Sequence, residues 1–175
     1  QRNEPAIKAA SEQYGVPPEV IVAIIGVETV YGRNIGDFET FSALTTLAFD
    51  YPPRAELFRR GLAELLLLAR EAQRDVRDFR GSYAGALGLP QFLPSSWRSY
   101  AVDFDGDGRV DLFGNPADAI GSVARFLSEH GWERDKPVTL RVTSIDGEPK
   151  PLLDSGIEPL LNTDDLEQLG VKTRS

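Results

Sequence analysis

The sequence contains no cysteine, no methionine and a single histidine, His130. Without cysteine there can be no disulfide, no thiol nucleophile and no Cys-ligated zinc. With one histidine, most Ser/His/Asp catalysis and most His-metal chemistry fall away, so acid/base work is left to carboxylates. Basic residues are also in the minority, 19 against 27 acidic, for a net charge of -8. Such a chain is repelled by phosphate backbones, which argues against a nucleic-acid partner. No apolar run reaches the roughly 18 residues of a membrane-spanning helix; the longest, Val20 to Val27, is broken by Gly26. Because the chain starts at Gln1 and has no Met, a leader or N-terminal segment is expected to be missing. The lack of a signal peptide then says nothing about compartment.

What is present is an ordinary globular composition, 41% apolar over 175 residues, enough for one domain with or without a small appendage. Pro17 and Pro18 open a strongly apolar stretch that runs through Tyr31 to Gly32 and reads as a helix. A second helix is expected over about 54–74, with Leu57, Phe58, Leu62, Leu65, Leu66 and Ala69 at helical spacing. A shorter one falls within 38–47. Residues 81–94, rich in Gly and Ala, read as a loop. Ser95 is a cap for a short helix reaching Val102, and Asn115-Pro116 starts a helix with Ile120, Val123, Ala124 and Leu127 on one face. Beyond Trp132 the character changes. Residues 137–143 alternate like a strand, and Asn162 or Thr163 caps a last short helix ending at Gly170. The expected fold is mainly α with minor strand content, with a boundary near Lys136.

Glu28 is the most informative residue. It follows Ile21, Ile24 and Ile25 at separations of seven, four and three residues, spacings that put all four on one helix face. A carboxylate on an apolar face is expected to be desolvated, which favours the neutral acid that general acid catalysis needs. The competing reading is a Glu at a helix end, leaning into solvent or paired with Arg33. Glu19, in the first turn, is explained by the helix dipole alone.

Two further segments carry chemistry. GSYAGALGLPQFLPSSW (81–97) surrounds Ser82, Tyr83, Gln91 and Phe92 with small residues that let a bulky ligand approach the backbone. Neutral hydrogen-bonding groups and aromatic rings suit an uncharged carbohydrate, although Gly-rich loops are often only turns. DFDGDGRVD (103–111) places Asp103, Asp105, Asp107 and Asp111 at positions 1, 3, 5 and 9 of an EF-hand calcium loop, with Gly108 at 6 and the Arg109 carbonyl at 7. Position 12, where a bidentate Glu is expected, is Gly114. The nearest later carboxylate is Asp118, in the first turn of the next helix. A single loop and no Met argue for a structural ion rather than a calcium sensor.

Four segments in order, YGVPPEVIVAIIGVETVYGRNIG, TLAFDYPPRAELF, GSYAGALGLPQFLPSSWRSYAVDFDGDGRVDLF and PADAIGSVARFLSEHGW, resemble the lytic murein transglycosylase B family over most of 14–132. The resemblance implies an α+β lysozyme-like catalytic core over 1–135, including an EF-hand-like loop at 103–118. A small mixed α/β appendage, incomplete relative to the family, is then expected over 136–175. It implies cleavage of the β-1,4 bond between N-acetylmuramic acid and N-acetylglucosamine, giving 1,6-anhydromuramoyl products. The family's catalytic Glu falls on Glu28 and its substrate-contacting Ser and Gln on Ser82 and Gln91. Tyr83, Phe92 and Arg54 are further candidate contacts. The calcium loop falls on Asp103, Asp105, Asp107, Arg109 and Asp118, and no catalytic cofactor is implied. The Leu89-Pro90 pair, where family members often carry other residues, is expected to reshape the groove. The expected partner is the peptidoglycan glycan strand, met by a monomer in the periplasm, with a lipid anchor to the outer membrane in the full-length form. A lysozyme-type hydrolase, an inactive glycan-binding module and a calcium-regulated adaptor are the alternatives.

Overall fold

The computed structural model describes residues 2–139, 141–146 and 161–174. Leu140 of the expected strand, and 147–160 of the expected appendage, lie outside the described residues. The chain divides into two compact units, Gln1–Arg134 and Asp135–Ser175.

The first unit begins with helix α1, Glu4–Tyr14, which the sequence reading does not anticipate. Its packing residues are only Ala6, Ile7, Ala10 and Tyr14, too sparse a stripe to stand out. Its punctuation is sound, with Pro5 in the first turn and left-handed Gly15 at the end,. Helix α2 is Pro18–Thr29. A two-residue strand β1, Phe38–Glu39, leads into α3, Thr40–Asp50. A 3-10 turn at Pro52–Arg54 precedes the long α4, Ala55–Glu71. Strand β2, Arg80–Gly81, pairs antiparallel with β1, Phe38 opposite Gly81 and Glu39 opposite Arg80. Two more helices follow, α5, Pro94–Tyr100, and α6, Pro116–Glu129.

Several boundaries depart from expectation for identifiable reasons. The helix expected within 38–47 starts at Thr40, after residues 38 and 39 pair with β2, and runs on to Asp50. Helix α5 starts at Pro94, whose fixed φ suits a first turn, and it stops at Tyr100. It does not reach Val102, whose N–H is taken by the buried Ser122 hydroxyl of α6 at 3.0 Å. At Asn115 the expectation holds: its side chain accepts from Ala117 N at 3.0 Å.

Two apolar clusters form the interior. One gathers Leu44, Ala48, Phe58, Leu65, Leu68, Phe79, Leu87, Phe92, Trp97 and Leu112 between α3, α4, α5 and the connecting loops. The other joins Ala10, Val16, Ile21, Ile120, Val123 and Ala124 from α1, α2 and α6. Helix α6 serves both, since Phe126 on another side of it packs against the first cluster. Arg98 forks from α5 onto Glu64 and Glu71 of α4, and its hydrogen bonds hold the Glu71 carboxyl below the usual range.

The second unit holds strand β3, Arg141–Ile145, helix α7, Thr163–Gln168, and strand β4, Val171–Arg174. The strands pair antiparallel from Arg141 opposite Arg174 to Ile145 opposite Val171, with an irregularity between Val142 and Ser144. A reciprocal capping box joins Asn162 and Asp165 at the start of α7,. Strand β4 is an addition to the sequence reading, which stops at Gly170. Among the described residues no helix is long and apolar enough to cross a membrane.

Candidate active site

Glu28 occupies the last turn of α2, one residue before its end. The apolar face inferred from spacing exists: Ile21 is fully buried and Ile24 and Ile25 pack against the α1/α6 cluster. Glu28 itself is exposed, which corrects the expectation of a desolvated carboxylate. The covering elements α1 and α6 bury the first turns of α2. In its last turn the fully buried residue is Thr29. Glu28 makes no hydrogen bond or ion pair among the described residues, with Arg33 or any other group. Its neighbours Val27, Val30 and Tyr31 are also exposed, at 83%, 48% and 65%, so the carboxylate stands within an apolar surface.

The chain leaves α2 under strain. Val30 and Tyr31 both have left-handed backbones, φ 52° and 58°, a conformation that costs of order 1–3 kcal/mol for a non-glycine residue and persists only where the surroundings impose it. The surroundings here are specific. Thr29 Oγ1 lies 3.1 Å from Ile25 O and 3.0 Å from Leu89 O, and it accepts from Gly32 N at 3.0 Å. Asn34 N donates to Thr29 O at 2.9 Å. Gly26 admits the Tyr31 ring, since a Cβ there would meet Tyr31 Cζ at 2.7 Å.

The second wall is the segment from β2 to α5. Ser82 follows β2 directly; its half-buried hydroxyl accepts from Ala84 N (3.3 Å) and Ala86 N (3.0 Å), leaving its own proton to donate outward. Tyr83 is 71% exposed, open to stacking. Gln91 also has a left-handed backbone, φ 51°, and its side-chain amide donates to Ile35 O at 3.1 Å and Gly88 O at 2.9 Å. Both donors of that amide are therefore committed to holding loop to loop, and only Oε1 is left for a ligand.

Phe92 is corrected from a ligand contact to a core residue: it is buried, its ring centroid 5.3 Å from that of Phe126. Arg54 is exposed in the 3-10 turn before α4, and among the described residues no hydrogen bond links it to Glu28, Ser82 or Gln91. Three links thus join the stretch after Glu28 to the Gly/Ala loop: Thr29 to Leu89, Gln91 to Ile35, and β1 to β2. Thr29 is the member that the sequence reading passes over; adjacency to Glu28 is its only local signal.

The aspartate loop is built around Asp103. Its carboxylate accepts from Gly106 N (2.8 Å), Asp107 N (3.1 Å) and Gly108 N (2.8 Å). Phe104 anchors the loop against Gly121 of α6, where a Cβ would lie 2.4 Å from its ring. Asp118, fully buried, reaches back from the first turn of α6 and accepts from Phe104 N and Asp111 N, each at 2.8 Å. Burial pushes its pKa up against those two hydrogen bonds, and Asp105 and Asp103 add to the rise. Carboxylate oxygens of Asp103, Asp105 and Asp118 lie within 4.8 Å of one another. Asp107 is not in that group; its carboxylate is turned onto Arg109 N at 2.9 Å.

A family model described as the transglycosylase SLT domain matches residues 1–175. The chain is 51% identical over 137 residues to the membrane-bound lytic murein transglycosylase B of Escherichia coli (strain K12), covering 78% of this chain and 38% of that protein. The catenated lytic transglycosylase SltB1 from Pseudomonas aeruginosa matches with a TM-score of 0.89 and 48% identity, covering 99% of this chain and 57% of that one. The Escherichia coli lytic transglycosylase Slt35 in complex with calcium matches with a TM-score of 0.82 and 41% identity, covering 99% and 54%. The chain thus spans roughly half the length of these relatives, or less. By its family match and by these relatives, this chain belongs to the transglycosylase SLT domain family.

Proposed function

We propose that the chain is the catalytic part of a lytic transglycosylase that cleaves the β-1,4 bond between N-acetylmuramic acid and N-acetylglucosamine in peptidoglycan. The observation that carries this reading is Glu28: exposed at the end of an apolar helix, free of ion pairs among the described residues, and tied through Thr29 to the loop that bears Ser82 and Gln91. Protonated Glu28 donates to the glycosidic oxygen as the bond to C1 breaks. The acetamido oxygen of the muramoyl residue attacks C1, as in substrate-assisted glycosidases. Ionised Glu28 then removes the C6 hydroxyl proton, and O6 closes on C1 as the acetamido group leaves. In this reading the Ser82 hydroxyl, Gln91 Oε1 and the Tyr83 ring meet the glycan.

A second reading is a hydrolase of the same bond, favoured by the exposure of Glu28, which leaves water a path to the carboxylate. Mass spectrometry of the soluble products from purified peptidoglycan separates the two. Transglycosylation is expected to give muropeptides one water lighter than reducing-end products. Reducing-end products throughout would replace it with hydrolysis, and no products would replace both with a binding module.

Asp103, Asp105 and Asp118 suit a calcium ion. The donor set is all oxygen, and a carboxyl whose pKa is raised by burial, with two neighbouring carboxylates adding to the rise, is one that a cation would relieve. Bound there, the ion would supply charge neutralisation that pins the loop to α6; it takes no part in the chemistry. Without it, the raised pKa means the folded chain holds more protons than the unfolded chain just above the ordinary Asp range, so stability falls as pH rises through that window. Calcium at a hundredfold excess over its Kd adds about 2.7 kcal/mol, roughly 5–10 °C in Tm for a chain of this size. The increment is expected to shrink on acidification into that window and to vanish in Asp118→Asn; a melt indifferent to chelator would remove the ion from this account. The substrate class places the protein in the bacterial cell envelope.

A further inference from the structure

The geometry points to Thr29 as a positioning residue that holds Glu28 against the Gly/Ala loop; the inference rests on the reading of Glu28 as the acid/base. Thr29 is the fully buried side chain of the last turn of α2, and its neighbour Glu28 is exposed. Its one hydroxyl meets three backbone groups: Ile25 O one turn back, Leu89 O across the site, and the N–H of Gly32 in the strained turn that follows. Helix end, turn and opposing loop are therefore held by a single oxygen.

Nothing else in α2 does this. Glu28 lacks a hydrogen-bonded partner among the described residues, so its place relative to Ser82 is set by the backbone that carries it. That backbone ends in two left-handed non-glycine residues, Val30 and Tyr31, which relax once the surroundings cease to impose them. Packing reinforces the hydroxyl's choice of partner: a Cβ on Gly32 would lie 2.6 Å from Leu89 Cδ2, so this turn and the loop are already in close contact. The Gln91 amide ties Ile35 to Gly88 a few residues further on and acts in parallel. It cannot substitute for Thr29, because it grips the loop beyond the strained turn and not the helix that carries Glu28.

Thr29→Val keeps the shape and removes the hydroxyl; Thr29→Ser keeps the hydroxyl. A misplacement of about 1 Å at a reacting group costs of order 100-fold in rate. Thr29→Val is therefore expected to lower kcat about 100-fold on soluble glycan strands, with KM within a few-fold and the assay run well below its Tm. Thr29→Ser is expected to restore kcat to within a few-fold. Amide exchange at Gly32, whose N–H loses its acceptor, should accelerate at least tenfold in the Val variant and not in the Ser variant. A merely structural role would lower Tm and leave kcat of the folded enzyme intact, and that result overturns the proposal. So does exchange at Gly32 that is unchanged in the Val variant. Glu28→Gln is measured alongside: if it stays active, the reading of the site has failed; if it is inactive while Thr29→Val turns over normally, only the positioning role has.

Discussion

Glu28→Gln is expected to lower kcat by about 10²- to 10⁴-fold, the span general acid/base catalysis commands, while leaving the melting transition where it was. The structure makes both halves of that expectation sharp. In the proposed mechanism one carboxylate serves as acid and then as base, so its loss would remove both proton transfers. Glutamine keeps the shape but can neither protonate the glycosidic oxygen nor take the proton of the C6 hydroxyl. On the stability side, Glu28 is exposed and makes no hydrogen bond or ion pair among the described residues, so the substitution falls in the class that moves stability by about 0.5 kcal/mol or less. Turnover and thermal melting measured on the same preparation check it. More than a few per cent of residual activity would remove Glu28 from the mechanism, and a large drop in Tm would mean that the carboxylate has a structural partner.

Phe79→Ala is expected to cost about 3–5 kcal/mol of folding stability, a large part of the 5–15 kcal/mol that holds a typical domain together. Phe79 is fully buried just before β2. Its ring meets Trp97 edge-on at 6.4 Å between centroids and Phe113 at 6.3 Å, and the Arg74 guanidinium lies 4.8 Å from its centre. These partners belong to α5 and to two different loops, so truncation leaves a cavity that no single side chain can turn to fill. The Phe79 carbonyl also accepts from Thr40 N at 2.9 Å, which fastens the start of α3 to the strand leading into Ser82. Urea unfolding should show a lower midpoint with an unchanged m-value. A loss under about 1 kcal/mol would mean that the aromatic cluster collapses onto the gap and that its packing is not what holds β2.

Much of the helical frame can be read locally. Pro18 opening α2, the Asn115 cap of α6 and the Asn162 cap of α7 act within one turn of chain, and the structure forms each of those starts. Helix α1 escapes because its one buried residue is Ala10 and two of its four packing residues are alanines, which carry little hydrophobic signal although they permit close packing. Phe92 shows the opposite failure. An aromatic in a Gly-rich loop looks available to a sugar, but a ladder of backbone bonds with Leu87 turns it inward onto Phe126.

By itself the sequence excluded thiols and histidine clusters and left acid/base work to carboxylates. It also determined a mainly helical fold and a loop of aspartates at calcium-binding spacing. Each of these follows from residue identity or from spacing over a few residues. Only the tertiary structure decided that Glu28 is exposed while Thr29 beside it is buried, because periodicity assigns a face and says nothing about which distant element covers it. Likewise, only the fold brought buried Asp118 to Asp103 and Asp105. It also committed the Gln91 amide to the Ile35 and Gly88 carbonyls. Apart from the Gln91–Gly88 bond, these are encounters between segments ten or more residues apart, and such encounters are settled by packing.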